Sequence, residues 1–330
     1  MKKSLNIFLI NKKGFTYILV TSFLVAIVLL IFFTTSNYNY QDQEALQQVR
    51  IRAMNDFMKN LEDDIHRATY ISAFRSLLAL ESHVSTNISA EFREAFFYGT
   101  INSTTESDIL NESTFEVYLS RVQNLSKTIG INLDINVTDV WLTQSDPWSV
   151  NVHLMMNITA IDVKNTSSWH INREYVTRLP IDTLKDPLYV RIIGNASPNI
   201  RRLDVPFLVN DTDVTNLKEH IEGVYYINSS YAPSYIMRLT GNYSADPQGN
   251  GIESIVNLQD LENLLPNHPG LLIAPNKVKI DYIYFDLTND PSNKVCNVTG
   301  IPSTDYFVIP SDRVTMYQLE NVSKLNMTCP

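Results

Sequence analysis

No proline occurs in the first 146 residues; all 14 lie between Pro147 and Pro330. The N-terminal stretch can therefore carry long unbroken helices, while the remainder is cut into shorter elements. From Phe15 to Phe33 there is no acid, base, Asn, Gln, Pro or Gly. At 1.5 Å rise per residue that run spans roughly 28 Å, about one hydrocarbon core. No acid precedes it, whereas Lys2, Lys3, Lys12 and Lys13 do, and beyond it Asp42 and Glu44 come before the first base, Arg50. That asymmetry predicts a cytoplasmic N-terminus and an exterior position for everything after about Ser36. A removable secretory signal is the competing reading. Such signals have an apolar core of about 7 to 15 residues and a small-x-small cleavage site. This core is longer and Phe32-Phe33-Thr34-Thr35-Ser36 is a poor site, which favours a retained anchor.

Cysteine is nearly absent, with Cys296 and Cys329 alone. In an oxidising exterior the pair reads as one disulfide, contributing roughly 3 to 4 kcal/mol by loop entropy; two thiols are the alternative, since spacing does not fix geometry. Familiar catalytic signatures are missing too: Gly-x-Ser-x-Gly, a P-loop, a dinucleotide fingerprint and a His-x-x-x-His pair do not occur. His153 and His170 could meet on neighbouring strands as metal ligands, although surface histidines on strands are commoner. Asp211-Thr212-Asp213 and the stretch Asp286 to Asp290 could hold calcium, or be solvated acidic turns. Trp141, Trp148 and Trp169 could form a sugar platform; filling the core between sheet and helix is the plainer expectation. No catalytic residue, cofactor or metal is assigned, and a non-enzymatic protein is expected.

Hydrophobic residues make up 44% of the chain and charged ones 18%, enough for a substantial core or two. The net charge of -9 divides into +4 for the basic leader and -13 for the remainder. An acidic exterior argues against nucleic acid and anionic headgroups as partners. Asn-x-Ser/Thr triplets are far more frequent than chance: Asn87, Asn102, Asn111, Asn124, Asn136, Asn157, Asn165, Asn195, Asn210, Asn228, Asn242, Asn297, Asn321 and Asn326. These are glycan acceptors on a surface that meets a glycosylation system, or else a polar coat without sugars. None precedes Asn87, so the first exported stretch lies close to the membrane or under a partner.

After a polar patch from Thr34 to Gln43, apolar residues recur at Leu46, Val49, Ala53, Phe57, Leu61, Ile65, Ala68, Ile71, Phe74 and Leu78. Steps of three and four predict one amphipathic helix of about 40 residues, a stalk some 60 Å long whose stripe packs on this chain or on a partner. A short helix is expected over 91–98. Another opens at the capping-box pattern Ser113-Thr114-Phe115-Glu116, with a stripe of Phe115, Leu119, Val122, Leu125 and Ile129, and stops at Gly130. Strict alternation then predicts antiparallel strands over 129–137 and 150–158, with a third near 169–181. Asn136 and Asn157 fall on their wet faces. Further strands are expected over 188–193, 224–227, 235–239, 278–285 and 306–309, a helix over 258–265 and a loop over 241–251.

Lys12-Lys13-Gly14-Phe15-Thr16 followed by the apolar run resembles the class III signal of type IV pilins. The resemblance implies cleavage between Gly14 and Phe15 by a prepilin-type peptidase, and a long helix leading into an antiparallel sheet with a late cysteine pair. Bacterial pilins carry glutamate at the fifth position after the cut, where this chain has Leu19; archaeal members often lack it. The chain also resembles an uncharacterised group of archaeal proteins with an N-terminal membrane anchor, through 52–80, Glu94-Ala95-Phe96-Phe97, Ser145-Asp146-Pro147-Trp148, Asp186-Pro187-Leu188-Tyr189, Gly251-Ile252-Glu253-Ser254 and Asp281-Tyr282-Ile283-Tyr284-Phe285.

The expected protein is therefore α+β: a basic leader (1–14), a transmembrane helix (15–36), an amphipathic stalk helix (37–84), an α/β extracellular module with an antiparallel sheet (85–185) and a second β-rich module with a disulfide (186–330). Its expected role is that of a glycosylated, single-pass surface protein of pilin-like design: a minor pilin, adhesin or envelope component. Its partners would be the membrane, the peptidase, glycans and pilin-like chains along the N-terminal helix. An anchored extracellular enzyme or sensor, its site assembled from distant residues, is the alternative.

Overall fold

The computed structural model describes residues 12–101, 104–105, 109–194, 197–264, 277–286, 294–301, 307–320, 322 and 325–330. Neither proline nor glycine falls between Phe15 and Leu80, and helix α1 runs without interruption from Lys12 to Leu80. Among the described residues no helix is long and apolar enough to cross a membrane. The apolar run read from the sequence begins on positions whose side chains lie outside the described residues (12–16, 18 and 19). Over 20–34 every side chain of α1 is exposed.

The second half of α1 is buried along Met54, Met58, Leu61, Ile65 and Ala68, continuing through Thr69, Ser72, Ala73, Ser76 and Leu77. The expected stripe was right over Leu61, Ile65 and Ala68 and drifted off the helix face at both ends. Val49 is 64% exposed and Ile71 51%. Consecutive steps of three each lag a full turn by about 60°, so the sequence 65, 68, 71, 74 rotates away from the core. Small hydroxyl residues take the positions facing inward instead. Ser72 Oγ donates to the Ser113 carbonyl at 2.8 Å and Ser76 Oγ to the Ser72 carbonyl at 2.7 Å.

Helix α2 (Ile88–Tyr98) is capped by Asn87, whose side chain accepts from the Ala90 amide, and stops at Gly99 with φ of 71°. Strands β1 (Thr100–Ile101) and β2 (Thr104–Thr105) form a small hairpin. Helix α3 (Phe115–Thr128) is capped by Thr114, one residue later than the capping-box reading of Ser113. Phe115 stacks on Phe96 at 4.9 Å, fixing the start of α3 on α2. The far end of its expected stripe is not covered: Leu125 and Ile129 are exposed, and Ser126 is buried in their place.

The alternating segments form a three-stranded antiparallel meander of β3 (Ile131–Asp146), β4 (Ser149–Asp162) and β5 (Ser168–Pro180), with β4 central. Inward residues of β4, from Val150 to Ala160, are buried in strict alternation, and α1 packs on β4 and β5. The register slips by one between Val137 and Asp139.

Beyond residue 186 the expected β-rich module is instead a mixture of short helices and small sheets. Segments read as strands are helices α4 (Pro187–Ile193), α6 (Tyr235–Leu239) and α8 (Asp281–Phe285). Short apolar runs fit either state, and of the three only α4 starts on a side-chain cap. At α4, Pro187 occupies the first turn and the Asp186 carboxylate accepts the Leu188 amide. Helix α5 (Thr215–Glu222) was not foreseen, and α7 (Leu258–Leu264) was. Strands β6 (Tyr226–Asn228) and β7 (Ile252–Ser254) pair, as do β8 (Val295–Thr299) with β9 (Phe307–Pro310) and β10 (Asn326–Thr328). The Cys296–Cys329 disulfide ties β8 to the residue after β10. One hydrophobic core joins α1, α2 and the meander and takes in Tyr226, Tyr235 and Leu239; a second surrounds Cys296, Phe307 and Tyr317.

The corrected stripe yields a direct comparison. Ile65→Ala should cost about 2 to 5 kcal/mol through the cavity it opens, and Ile71→Ala less than about 0.5 kcal/mol. Guanidinium unfolding followed by tryptophan fluorescence measures both, and equal costs would restore the stripe as read from spacing.

Candidate functional site

Three of the segments singled out in the sequence converge on one side chain. Arg238, on α6, is wholly buried together with Asp186, the cap of α4, and Asp281, the first residue of α8. Its Nη1 donates to Asp186 Oδ2 at 2.5 Å and to Asp281 Oδ2 at 2.8 Å, and its Nη2 donates to the Ile252 carbonyl on β7. The remaining carboxylate lone pairs are filled locally. Asp281 accepts from the Ser254 amide at 3.2 Å, Ser254 Oγ at 2.9 Å and the Tyr282 amide at 2.7 Å. Asp186 accepts from the Leu188 amide and the Tyr226 hydroxyl, both at 2.9 Å. Burial works against the charge on Arg238, but Asp186 and Asp281 outweigh it and hold the guanidinium above its ordinary range.

A second buried group adjoins the first through β7. Glu253 accepts from the Tyr317 hydroxyl at 3.0 Å and lies 3.7 Å from Arg313 Nε. Arg313 also donates to the Tyr282 hydroxyl at 2.7 Å and stacks over the Tyr231 ring at 3.6 Å. Burial pushes Glu253 up to about 7 despite Arg313. At the end of α1, Glu81 accepts from the Lys185 amide at 2.8 Å, and burial pushes it up to about 8. Arg191 on α4 donates to the Leu239 carbonyl at 2.6 Å and the His83 carbonyl at 3.3 Å. These groups link the end of α1 to α4, α6, α8 and β7. With Arg238, Asp186, Asp281, Glu253 and Ser254 all sealed from solvent, the arrangement holds chain segments together and offers no surface to a substrate.

Sequence reasoning missed this set. The signal was present: a charged residue inside an apolar run, as in Ile236-Met237-Arg238-Leu239 or Ile280-Asp281-Tyr282-Ile283, requires a buried partner somewhere.

The outer face of the meander carries a different constellation. Thr143 Oγ1 lies 2.7 Å from His153 Nε2, and His153 Nδ1 lies 2.5 Å from Glu174 Oε1. Trp141 stacks on the imidazole at 5.0 Å with planes 10° apart. Hydroxyl, imidazole and carboxylate stand in the order used for acyl transfer. Among the described residues, neither of two cavities elsewhere borders this relay. One of about 330 Å³ is lined by Tyr189, Arg201, Glu222, Val256 and Asp260; the other, of about 300 Å³, lies between α1 and α3.

His170 pairs across the sheet with Thr159, six positions along β4 from His153, so the two histidines are roughly 20 Å apart and do not form a ligand pair. Among the described residues no cluster of His, Cys, Asp or Glu could hold a metal ion. Asp213 accepts from the Thr215 amide at 2.9 Å and so serves a helix start; of 286–290 only Asp286 is described. The tryptophans share no platform. Trp141 is on the outer face, Trp148 lies under Arg202 at 5.4 Å, and Trp169, opposite buried Ala160, packs against the core.

Among the acceptor asparagines, Asn87, Asn111, Asn124, Asn136, Asn165, Asn210, Asn228, Asn242, Asn297 and Asn326 are exposed and Asn157 is half-buried; Asn102, Asn195 and Asn321 lie outside the described residues. Gly14 and Phe15 lie in the first turns of α1, their side chains outside the described residues.

Two outcomes follow from the buried charges. Arg238→Met should cost about 3 to 5 kcal/mol by stranding two carboxylates, whereas Arg202→Met on the surface should cost under about 1 kcal/mol, read as shifts in the unfolding midpoint. The Glu81 carboxyl titrates higher in the folded chain than in the unfolded one. Its contribution to stability is therefore full below about pH 4.5 and lost as pH rises through about 8. Glu81→Gln should flatten that decline in a series of unfolding curves between pH 5 and 8, and an unchanged slope would show that Glu81 is not its source.

Comparison with family models, with curated proteins and with solved structures finds no match to this chain.

Proposed function

We propose that this chain is a non-enzymatic, glycosylated surface protein of type IV pilin-like design, anchored by the first part of α1 and presenting its globular part outside the cell as a minor pilin, adhesin or envelope component. The observation that carries the reading is the division of one helix into two environments. Leu24, Leu30 and Phe33 are 57%, 65% and 62% exposed, whereas Leu61 and Ile65 further along are 4% and 0%. Each large apolar side chain left in water forgoes about 1.5 to 3 kcal/mol, so a row of them calls for lipid or the same row on a neighbouring chain. The charge-free sequence from Phe15 to Phe33, the four preceding lysines and the exposure of the acceptor asparagines support the same orientation. The disulfide suits an oxidising exterior.

Processing by a prepilin-type peptidase would leave Phe15 as the first residue. Intact-mass and N-terminal peptide measurements on protein from washed membranes test this. A chain beginning at Phe15 is expected, and one beginning at Met1 or near Ser36 would overturn the pilin-like reading. The reading of an anchored enzyme or sensor has two observations behind it, which do not border one another: the Thr143–His153–Glu174 arrangement on the outer face of the meander, and the cavity beside Tyr189 in which Arg201, Glu222 and Asp260 meet an apolar wall.

A further inference from the structure

Two of the acceptor triplets are cross-strand partners. Asn136 on β3 sits directly opposite Asn157 on β4, and both side chains stand on the outer face of the meander. Partners in an antiparallel pair have Cα atoms about 4.5 to 5.5 Å apart, less than the width of a pyranose ring with its substituents. Two glycans rooted there would collide, so the sheet admits one.

The two triplets differ in the ways that decide which one. β3 is an edge strand and β4 is hydrogen-bonded on both sides. The triplet Asn136-Val137-Thr138 runs into the register slip: Val137 pairs with Met156 and Asp139 with Met155, leaving Thr138 as the extra residue of a bulge. Asn136 and Thr138 are both exposed. In Asn157-Ile158-Thr159, by contrast, Ile158 is 1% exposed and Asn157 is half-buried. The two hydroxyls do not separate the triplets: Thr138 Oγ1 donates to the Met155 carbonyl and Thr159 Oγ1 meets His170 Nδ1, both at 3.2 Å. A transferase that must grip an extended acceptor with its hydroxyl two residues on can reach the bulged edge and not the central strand.

We infer that Asn136 carries an N-linked glycan that lies across the outer face of the sheet, over Met155 and the Trp141–His153 stack, and that Asn157 stays unmodified beneath it. This rests on the glycoprotein reading above. The transfer forms a bond from sugar C1 to Asn136 Nδ2 and breaks the C1–O bond to the phosphate of a lipid-linked sugar donor, with the amide proton leaving to the phosphate side.

No Lys or Arg lies between Lys127 and Lys164, so one tryptic peptide carries both asparagines. Mass spectrometry of that peptide from the full chain, purified from its own cells, should show one glycan, and fragmentation should place it on Asn136. Asn136→Gln should leave the peptide bare, and Asn157→Gln should leave its mass increment unchanged. Two glycans on one peptide, a glycan on Asn157 in the native chain or in Asn136→Gln, or a bare peptide while Asn87 and Asn210 carry sugar would each overturn the inference alone. Absence of sugar at every acceptor would bring down the glycoprotein reading as well.

Discussion

A guanidinium removed from water without counter-charges costs several kcal/mol, and Arg238 is removed completely. It is tolerable because two carboxylates and a carbonyl reach it from three other segments, and those carboxylates are in turn satisfied by amides and hydroxyls of those segments and of β6. The dependence runs both ways. Asp186 caps α4 and Asp281 begins α8, so these two helices, each too brief to persist alone, are fixed where their ends meet the arginine. A hydrophobic substitute could fill the space but could not demand that these particular chain segments arrive together.

What could be read beforehand divides along the range of the forces involved. The meander was legible because alternation over 129–137 and 150–158 is a local pattern imposed by the pleat, and it returned as β3 and β4. Helix α1 was legible because nothing in it breaks a helix. Its buried face was only half legible: Ser72 faces inward onto the carbonyl of Ser113, just ahead of α3, and Ser76 onto the carbonyl of Ser72, which no hydropathy count registers. Segments such as 235–239 and 281–285 read as strands because they are short and apolar, yet both are helices, tied to each other by the ion pair of Arg238 with Asp281. The ionic set itself pairs residues 43 and 52 positions apart, beyond the reach of any periodicity. The outer-face relay of Thr143, His153 and Glu174 also emerged only from strand register.

The two cores are unlike in what surrounds them. The larger one gathers side chains from both sides of residue 185, including Ile131 and Tyr235, so the meander and the segments that follow are not separate bodies joined by a tether. The smaller one is bordered by Glu253 and Arg313 and closed by the disulfide at Cys296. Burial on this scale, with charges neutralised inside, leaves acceptor asparagines at the periphery, consistent with a polar exterior over a dry interior.

Helix α1 meets the globular part at Arg50, 3.4 Å from Asp162, and buries side chains against it from Met54 to Leu80, roughly seven turns of packed surface. Just past its last turn Glu81 accepts from the backbone amide before Asp186, and Asp186 pairs with Arg238. Mechanical tension along the rod would therefore be shared among many apolar contacts and delivered at its end to the ionic lattice, rather than concentrated on a single hinge. Such a construction behaves as a splinted beam: a pull on one end strains the whole overlap before any one element lets go.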